Sequence, residues 1–194
     1  MIRARGLGRS FGERDILRGL DLDIPEGSFV LVTGRNGAGK STLLQILARL
    51  LAPTSGELEV DVDRGRVGYV AHDPLVYREL TGAENLELYA RLFRVPSRKE
   101  RIAELLERYG LWEARDERVA SYSRGMGQRL ALCRALLHDP ALLLLDEPYS
   151  ALDREGSELL DRELASLVGT RTIVLSSHQP ERVDALATLR LALS

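Results

Sequence analysis

The sequence predicts an α/β fold, in which a core of parallel strands carries a β-rich start and a helical insertion. Three observations predict it. The apolar run Phe29-Val30-Leu31-Val32 leads into a glycine-rich turn and then into an apolar helix at Leu43-Leu44. A second run, "ALLLLD" (141 to 146), has the length and unbroken hydrophobicity of a strand buried on both faces. Between the two runs the pattern is helical, and a strand–helix–strand pattern closes the chain.

Residues 14 to 24 and 28 to 33 read as strands separated by the turn "PEG" (25 to 27). The helix after the glycine-rich turn runs from about Lys40 to Leu51 and stops before Pro53. "ELEVDVD" (57 to 63) alternates acidic and apolar residues and puts Leu58, Val60 and Val62 on one face, as in a half-buried antiparallel strand. Its acids read as a solvated face. "DRGRVGYV" (63 to 70) reads as a turn and a strand leading into the insertion. "TGAE" (81 to 84) and "SRKE" (97 to 100) both fit a capping box, and amphipathic helices follow each, the second stopping at Gly110. Another helix begins near Ser123 and ends before "DP" (139 to 140). A helix over about 153 to 168, a strand "TIVLS" (172 to 176), a short helix after Pro180 and the strand-like "LRLALS" complete the order.

At 194 residues this is one domain with an inserted subdomain. The expected division is 1–73 for a β subdomain and the first part of the core, 74–129 for the helical subdomain, and 130–194 for the rest of the core. The net charge of −2 shows no bias toward nucleic acid or anionic lipid, so no nucleic acid is expected as a partner. Cys133 is the single cysteine, which points to a reducing compartment. The basic start "MIRARGLGRS" lacks an apolar stretch behind it, so no signal peptide is expected. No apolar run approaches the roughly 18 residues of a membrane span.

"GRNGAGKST" (34 to 42) fits the phosphate-loop pattern G-x-x-x-x-G-K-[ST]. Gly34, Gly37 and Gly39 can take positive φ and let the backbone close on an oxyanion. The N–H groups of Arg35, Asn36, Ala38 and their neighbours then point inward at a helix N-terminus. Lys40 is expected to reach the β- and γ-phosphates, Ser41 to ligate Mg²⁺, and Thr42 to bond a phosphate oxygen. A nucleoside triphosphate binds with Mg²⁺ and needs a second piece. "LLLLDEP" (142 to 148) supplies it: Asp146 at the end of a buried strand is costly unless it meets a cation. Glu147 beside it can polarise an attacking water as general base.

"SYSRGMGQRLALCRALLHDP" (121 to 140), "SALD" (150 to 153) and "SSH" (176 to 178), in this order around the loop and the acidic strand, resemble the ABC-type ATPases. That resemblance implies a P-loop NTPase fold of the ABC type: a RecA-like parallel-sheet core, an N-terminal antiparallel β subdomain and an inserted α-helical subdomain. It implies that two subunits, this chain with itself or with a homologous ATPase, sandwich two ATP molecules with Mg²⁺. Phe11 in "SFGE" then stacks on adenine, Ser123 and Gly125 act across the dimer, Asp153 relays between the sites, and His178 holds the γ-phosphate and attacking water. The usual signature is Leu-Ser-Gly-Gly-Gln, and here Tyr122-Ser123-Arg124-Gly125-Met126 stands in its place. His72 stands where the family has glutamine; a neutral imidazole can accept one bond from Mg²⁺ or water, and its protonated form cannot.

Within the family, His72, "YSRGM" and "SSHQPE" resemble the ATP-binding subunit of the haem exporter for cytochrome c maturation. The resemblance implies docking on integral-membrane subunits at the cytoplasmic face, with the segment near Leu75 to Arg94 receiving a short partner helix. Other readings stay open: a different cargo such as a drug, lipid or lipoprotein, a soluble ATPase for iron–sulfur assembly, or a non-hydrolysing regulator.

Overall fold

A computed structural model of the chain describes residues 1–193. Two sheets share its strands. Ile2–Phe11 (β1), Arg14–Ile24 (β2) and Ser55–Val60 (β4) form an antiparallel sheet in the order β2-β1-β4. Phe29–Gly34 (β3), Val67–Val70 (β5), Leu142–Asp146 (β6), Thr172–Ser176 (β7) and Leu189–Leu193 (β8) form a parallel sheet in the order β5-β6-β7-β3-β8. The helices are Lys40–Leu47 (α1), Gly82–Leu92 (α2), Arg98–Arg108 (α3), Arg124–Leu136 (α4) and Arg154–Leu167 (α5). The α/β class and its antiparallel β subdomain are thus as expected.

Alternate residues of the central strands divide between two cores, because successive side chains of a strand point to opposite faces. Val30, Val32, Leu142, Leu144 and Val174 pack with α1 and the antiparallel sheet. Phe29, Leu31, Leu143, Leu145, Ile173 and Leu175 pack with apolar residues of α2 to α5, among them Leu86, Leu105, Leu130 and Leu164. Burying each such side chain stabilises by roughly 1.5–3 kcal/mol, which fixes β3, β6 and β7 as a rigid platform. Functional groups at their carboxyl ends are held accordingly.

Several sequence expectations need correction. The basic start is a ten-residue strand, β1, whose Ile2, Ala4 and Leu7 are buried while Arg3 and Arg5 face solvent. Helix α1 ends at Leu47 rather than Leu51. Arg49 adopts φ 57°, and the N–H groups of Leu50 and Leu51 turn back to the Gln45 carbonyl (2.9 and 3.3 Å). The acidic strand is Ser55–Val60, so Asp61 to Asp63 lie beyond it. Thr81 forms the expected capping box with Glu84, but Ser97 does not cap. Ser97 sits at φ 45°, ψ 43°, in the left-handed region, instead of the extended backbone that aims a hydroxyl at the third N–H of a helix. Ser194, the last residue of the predicted closing strand, lies outside the described residues. Among the described residues no helix is long and apolar enough to cross a membrane.

One packing detail carries a pH prediction. The His138 ring stacks on Phe93 (centroids 4.0 Å apart), and its Nε2 donates to the Val67 carbonyl at 3.2 Å. Burial holds its pKa below the ordinary 6.5, helped by Arg134 and opposed by that carbonyl and Asp139. The folded chain therefore binds the proton less readily than the unfolded one, so this contribution to stability is full above about pH 6.5 and declines as pH falls below it. Urea midpoints measured at pH 7.5 and 5.5 should differ less in His138→Gln than in the parent protein.

Candidate functional site

The phosphate loop joins β3 to α1, and its glycines are required by shape. Gly39 sits at φ 95°, and a side chain there would strike Leu17 Cδ2 at 2.8 Å and Ile16 Cγ2 at 3.0 Å. A side chain at Gly34, φ 152°, would meet the Leu193 carbonyl at 2.6 Å. The loop is thus clamped between β2 and β8. Lys40 opens α1 and is only 7% exposed. Its Nζ donates to the Gly34 carbonyl at 2.9 Å and the Arg35 carbonyl at 3.4 Å.

Asp146 ends β6 and is 1% exposed. In the parallel pairing it lies opposite Ser176 of β7, whose hydroxyl donates to Asp146 Oδ1 at 2.7 Å. Glu147 follows with φ 50°, a left-handed backbone that a non-glycine residue adopts only under constraint. Its N–H donates to the carbonyl and the hydroxyl of Ser176, at 3.2 and 3.1 Å. Ser176 therefore locks both carboxylate residues, a role that the sequence reading did not assign. Pairing β6 with β7 would have found it, since Ser176 is the residue opposite Asp146.

Glu147 Oε2 accepts from the His178 N–H at 2.9 Å. Oε1 is buried without a hydrogen bond, with His178 Nε2 at 3.4 Å and Lys40 Nζ at 3.9 Å. A buried carboxylate oxygen left without a donor, beside an ammonium, is a group poised for another partner.

An open cavity of about 450 Å³ lies over the loop and brings together Asn36, Gly37, Gly39, Lys40, Ser41, Thr42, His72, Glu147 and His178. It also receives Arg14 and Ile16 of β2, which the sequence reading missed. Phe11 ends β1, is 50% exposed, and carries the Arg9 guanidinium over its ring at 4.4 Å. Ser123, Gly125 and Asp153 stand outside the cavity lining. Ser123 caps α4 by accepting from the Met126 N–H at 3.2 Å, and lines a separate cavity of about 660 Å³ with Arg124 and His72. A Cβ at Gly125 would stand 3.2 Å from the Ala151 carbonyl. Asp153 caps α5 by accepting from the Gly156 N–H at 2.8 Å.

The family model described as "ABC transporter" matches residues 17–150. The chain belongs to the ABC transporter family. Among its family relatives, the uncharacterised ATP-binding protein YxlF of Bacillus subtilis is 40% identical over 92% of this chain and 62% of its own length. The daunorubicin resistance ATP-binding protein DrrA3 of Streptomyces coeruleorubidus is 37% identical over 96% of this chain and 63% of its own length. The chain thus spans less than two thirds of either relative. A dimeric post-hydrolysis structure of the ATP-binding cassette MJ0796, bound to ADP and Pi, superimposes with a TM-score of 0.91 at 28% identity, covering 100% of this chain and 94% of that one. The fold is that of an ABC-type P-loop cassette.

Proposed function

We propose that this family member is an ATPase subunit that binds Mg-ATP in the cavity over the phosphate loop and hydrolyses it to drive a membrane transporter. The single observation that carries the reading is the trio of buried Lys40, buried Glu147 and the exposed His178 beside them, set at the mouth of a glycine cradle whose space a side chain would fill. The N–H groups of residues 35 to 39 and Lys40 would hold the β- and γ-phosphates. Ser41 and Asp146 are oxygen donors of the kind that Mg²⁺ takes, and the near-complete burial of Asp146 fits a carboxylate reserved for a cation. When bound, Mg²⁺ would offset charge on the phosphate oxygens. His72 faces the same cavity, but an imidazole suits a hard cation poorly, so we assign it to water or phosphate rather than to the metal.

The chain's own residues would do the rest. Glu147 Oε1 accepts the proton of an attacking water, its other oxygen fixed by the His178 N–H. His178, with its side chain 54% exposed, can reach a γ-phosphate. Phe11, half exposed, would offer adenine the ring face that the Arg9 guanidinium does not cover. Ser123, Gly125 and Asp153 would complete the neighbouring subunit's site, with the α4 N-terminus directed at the phosphate there. The dimeric, ADP-bound relative supports this pairing. We also propose that residues 74–129 act as the signature subdomain between flanking core segments 1–73 and 130–194.

Integral-membrane subunits are the proposed partners, at the inner face of the cell membrane. A shallow groove lined by Leu50, Leu75, Tyr89 and Phe93 supports a docking surface for them. For cargo, the daunorubicin resistance relative supports a drug. Haem export for cytochrome c biogenesis is the narrower reading that "YSRGM" and "SSHQPE" support, and the relatives' names do not favour it. A mild-detergent pull-down from native membranes, with mass spectrometry and a haem absorption scan, tests both. The proposal expects a co-isolated multispanning protein and no haem band; a haem band would restore the narrower reading. Robust ATP hydrolysis with no membrane protein captured would favour a soluble ABC ATPase.

A further inference from the structure

We infer that Arg14 is a second phosphate-binding cation of the nucleotide site, delivered by the same hairpin that presents Phe11 to the base. The inference rests on the nucleotide-site reading above and adds a residue to it. β1 and β2 meet through a two-residue turn, Gly12-Glu13, and Phe11 pairs directly with Arg14 across it. Strand alternation then places Arg14 and Ile16 on one face of β2. That face meets the phosphate loop at two points. A Cβ at Gly39 would stand 3.0 Å from Ile16 Cγ2, and a Cβ at Gly37 would stand 3.8 Å from Arg14 Nη2. The guanidinium therefore overhangs the glycine cradle and lines the cavity shared by Lys40, Ser41 and Thr42.

Its charge is available. Among the described residues Arg14 takes part in no ion pair and no side-chain hydrogen bond, unlike its neighbours. The adjacent Asp15 carboxylate accepts from Ser10 Oγ at 2.7 Å and faces Arg18 Nε at 3.5 Å. Lys40, by contrast, is partly spent on two loop carbonyls and on Glu147. A planar guanidinium with five donors is the group best shaped to bridge phosphate oxygens. One short hairpin would then read both ends of the nucleotide: aromatic stacking at Phe11 for the base, and charge at Arg14 for the polyphosphate.

Mg-ATP affinity, measured by titration calorimetry at 50 and 300 mM NaCl, tests this in the parent protein, Arg14→Ala, Arg14→Lys and Phe11→Ala. Arg14→Ala should raise Kd about tenfold at low salt, the scale of one charge-assisted phosphate contact, with a smaller ratio at high salt. Arg14→Lys should fall between the parent and Arg14→Ala, about threefold to fivefold weaker than the parent, because the charge persists but the planar fork is lost. Phe11→Ala should weaken binding by a ratio that salt does not change. A ratio for Arg14→Ala below twofold at low salt, or one that salt leaves unchanged, overturns the inference. Failure of the parent protein itself to bind Mg-ATP would overturn the nucleotide-site reading instead.

Discussion

Glu147→Gln should lower ATP hydrolysis by at least about 10²-fold while leaving Mg-ATP affinity within about threefold, since a positioned general base contributes roughly 10²–10⁴-fold. The substitution is nearly isosteric. The amide carbonyl can still accept from the His178 N–H, now 2.9 Å from Oε2, so the loop after β7 keeps its anchor. The backbone also keeps its place, because the φ of 50° is held by main-chain bonds to Ser176. What is lost is the basic oxygen, Oε1, which is buried and lacks a hydrogen bond in the protomer. Phosphate release in single turnover, set beside a binding isotherm, separates the two effects. A variant that hydrolyses at more than a tenth of the parent rate would assign the base to another group.

Lys40→Ala should have the other large effect, raising the Kd for Mg-ATP by about 10²-fold or more, because a charge-assisted contact to the β- and γ-phosphates disappears along with the loop's internal brace. The ammonium ties the Gly34 and Arg35 carbonyls together from inside the loop. Alanine leaves both carbonyls without that donor and leaves Glu147, 8% exposed, without the cation 3.9 Å away. Lys40→Arg should not rescue binding, since a planar guanidinium does not reproduce the compact ammonium that reaches both loop carbonyls. Calorimetry on the three proteins checks both statements, and wild-type affinity in Lys40→Ala would remove the lysine from the site.

Much of this was legible in the sequence because it is written locally. The glycine spacing in "GRNGAGKST" dictates the loop, and the unbroken run before Asp146 dictates a strand buried on both faces. Thr81 and Glu84, three residues apart, cap a helix as their chemistry requires. The misses have physical causes. Ser97 and Glu100 fit the same pattern, yet the chain enters that helix from Pro96 through a left-handed residue, which no side-chain spacing encodes. Arg49 ends α1 by adopting positive φ, a position that glycine usually signals. β1 was hidden by the irregularities between Ala4 and Ser10, which interrupt its alternation. Ser176 and Arg14 were invisible for another reason. Each gains its role from a residue distant in sequence, Asp146 for one and Gly37 for the other, and only the pairing of strands and the packing of β2 on the loop bring them together.

The central claim, a triphosphate held jointly by two copies of the fold, is tested most directly by the mass of Glu147→Gln in solution. Light scattering after size exclusion, with saturating Mg-ATP and then with Mg-ADP, reads it against the protomer's 21.6 kDa. The account predicts twice that mass with Mg-ATP and the protomer mass with Mg-ADP. A protomer mass under both conditions, with calorimetry showing the ATP site filled, would contradict it.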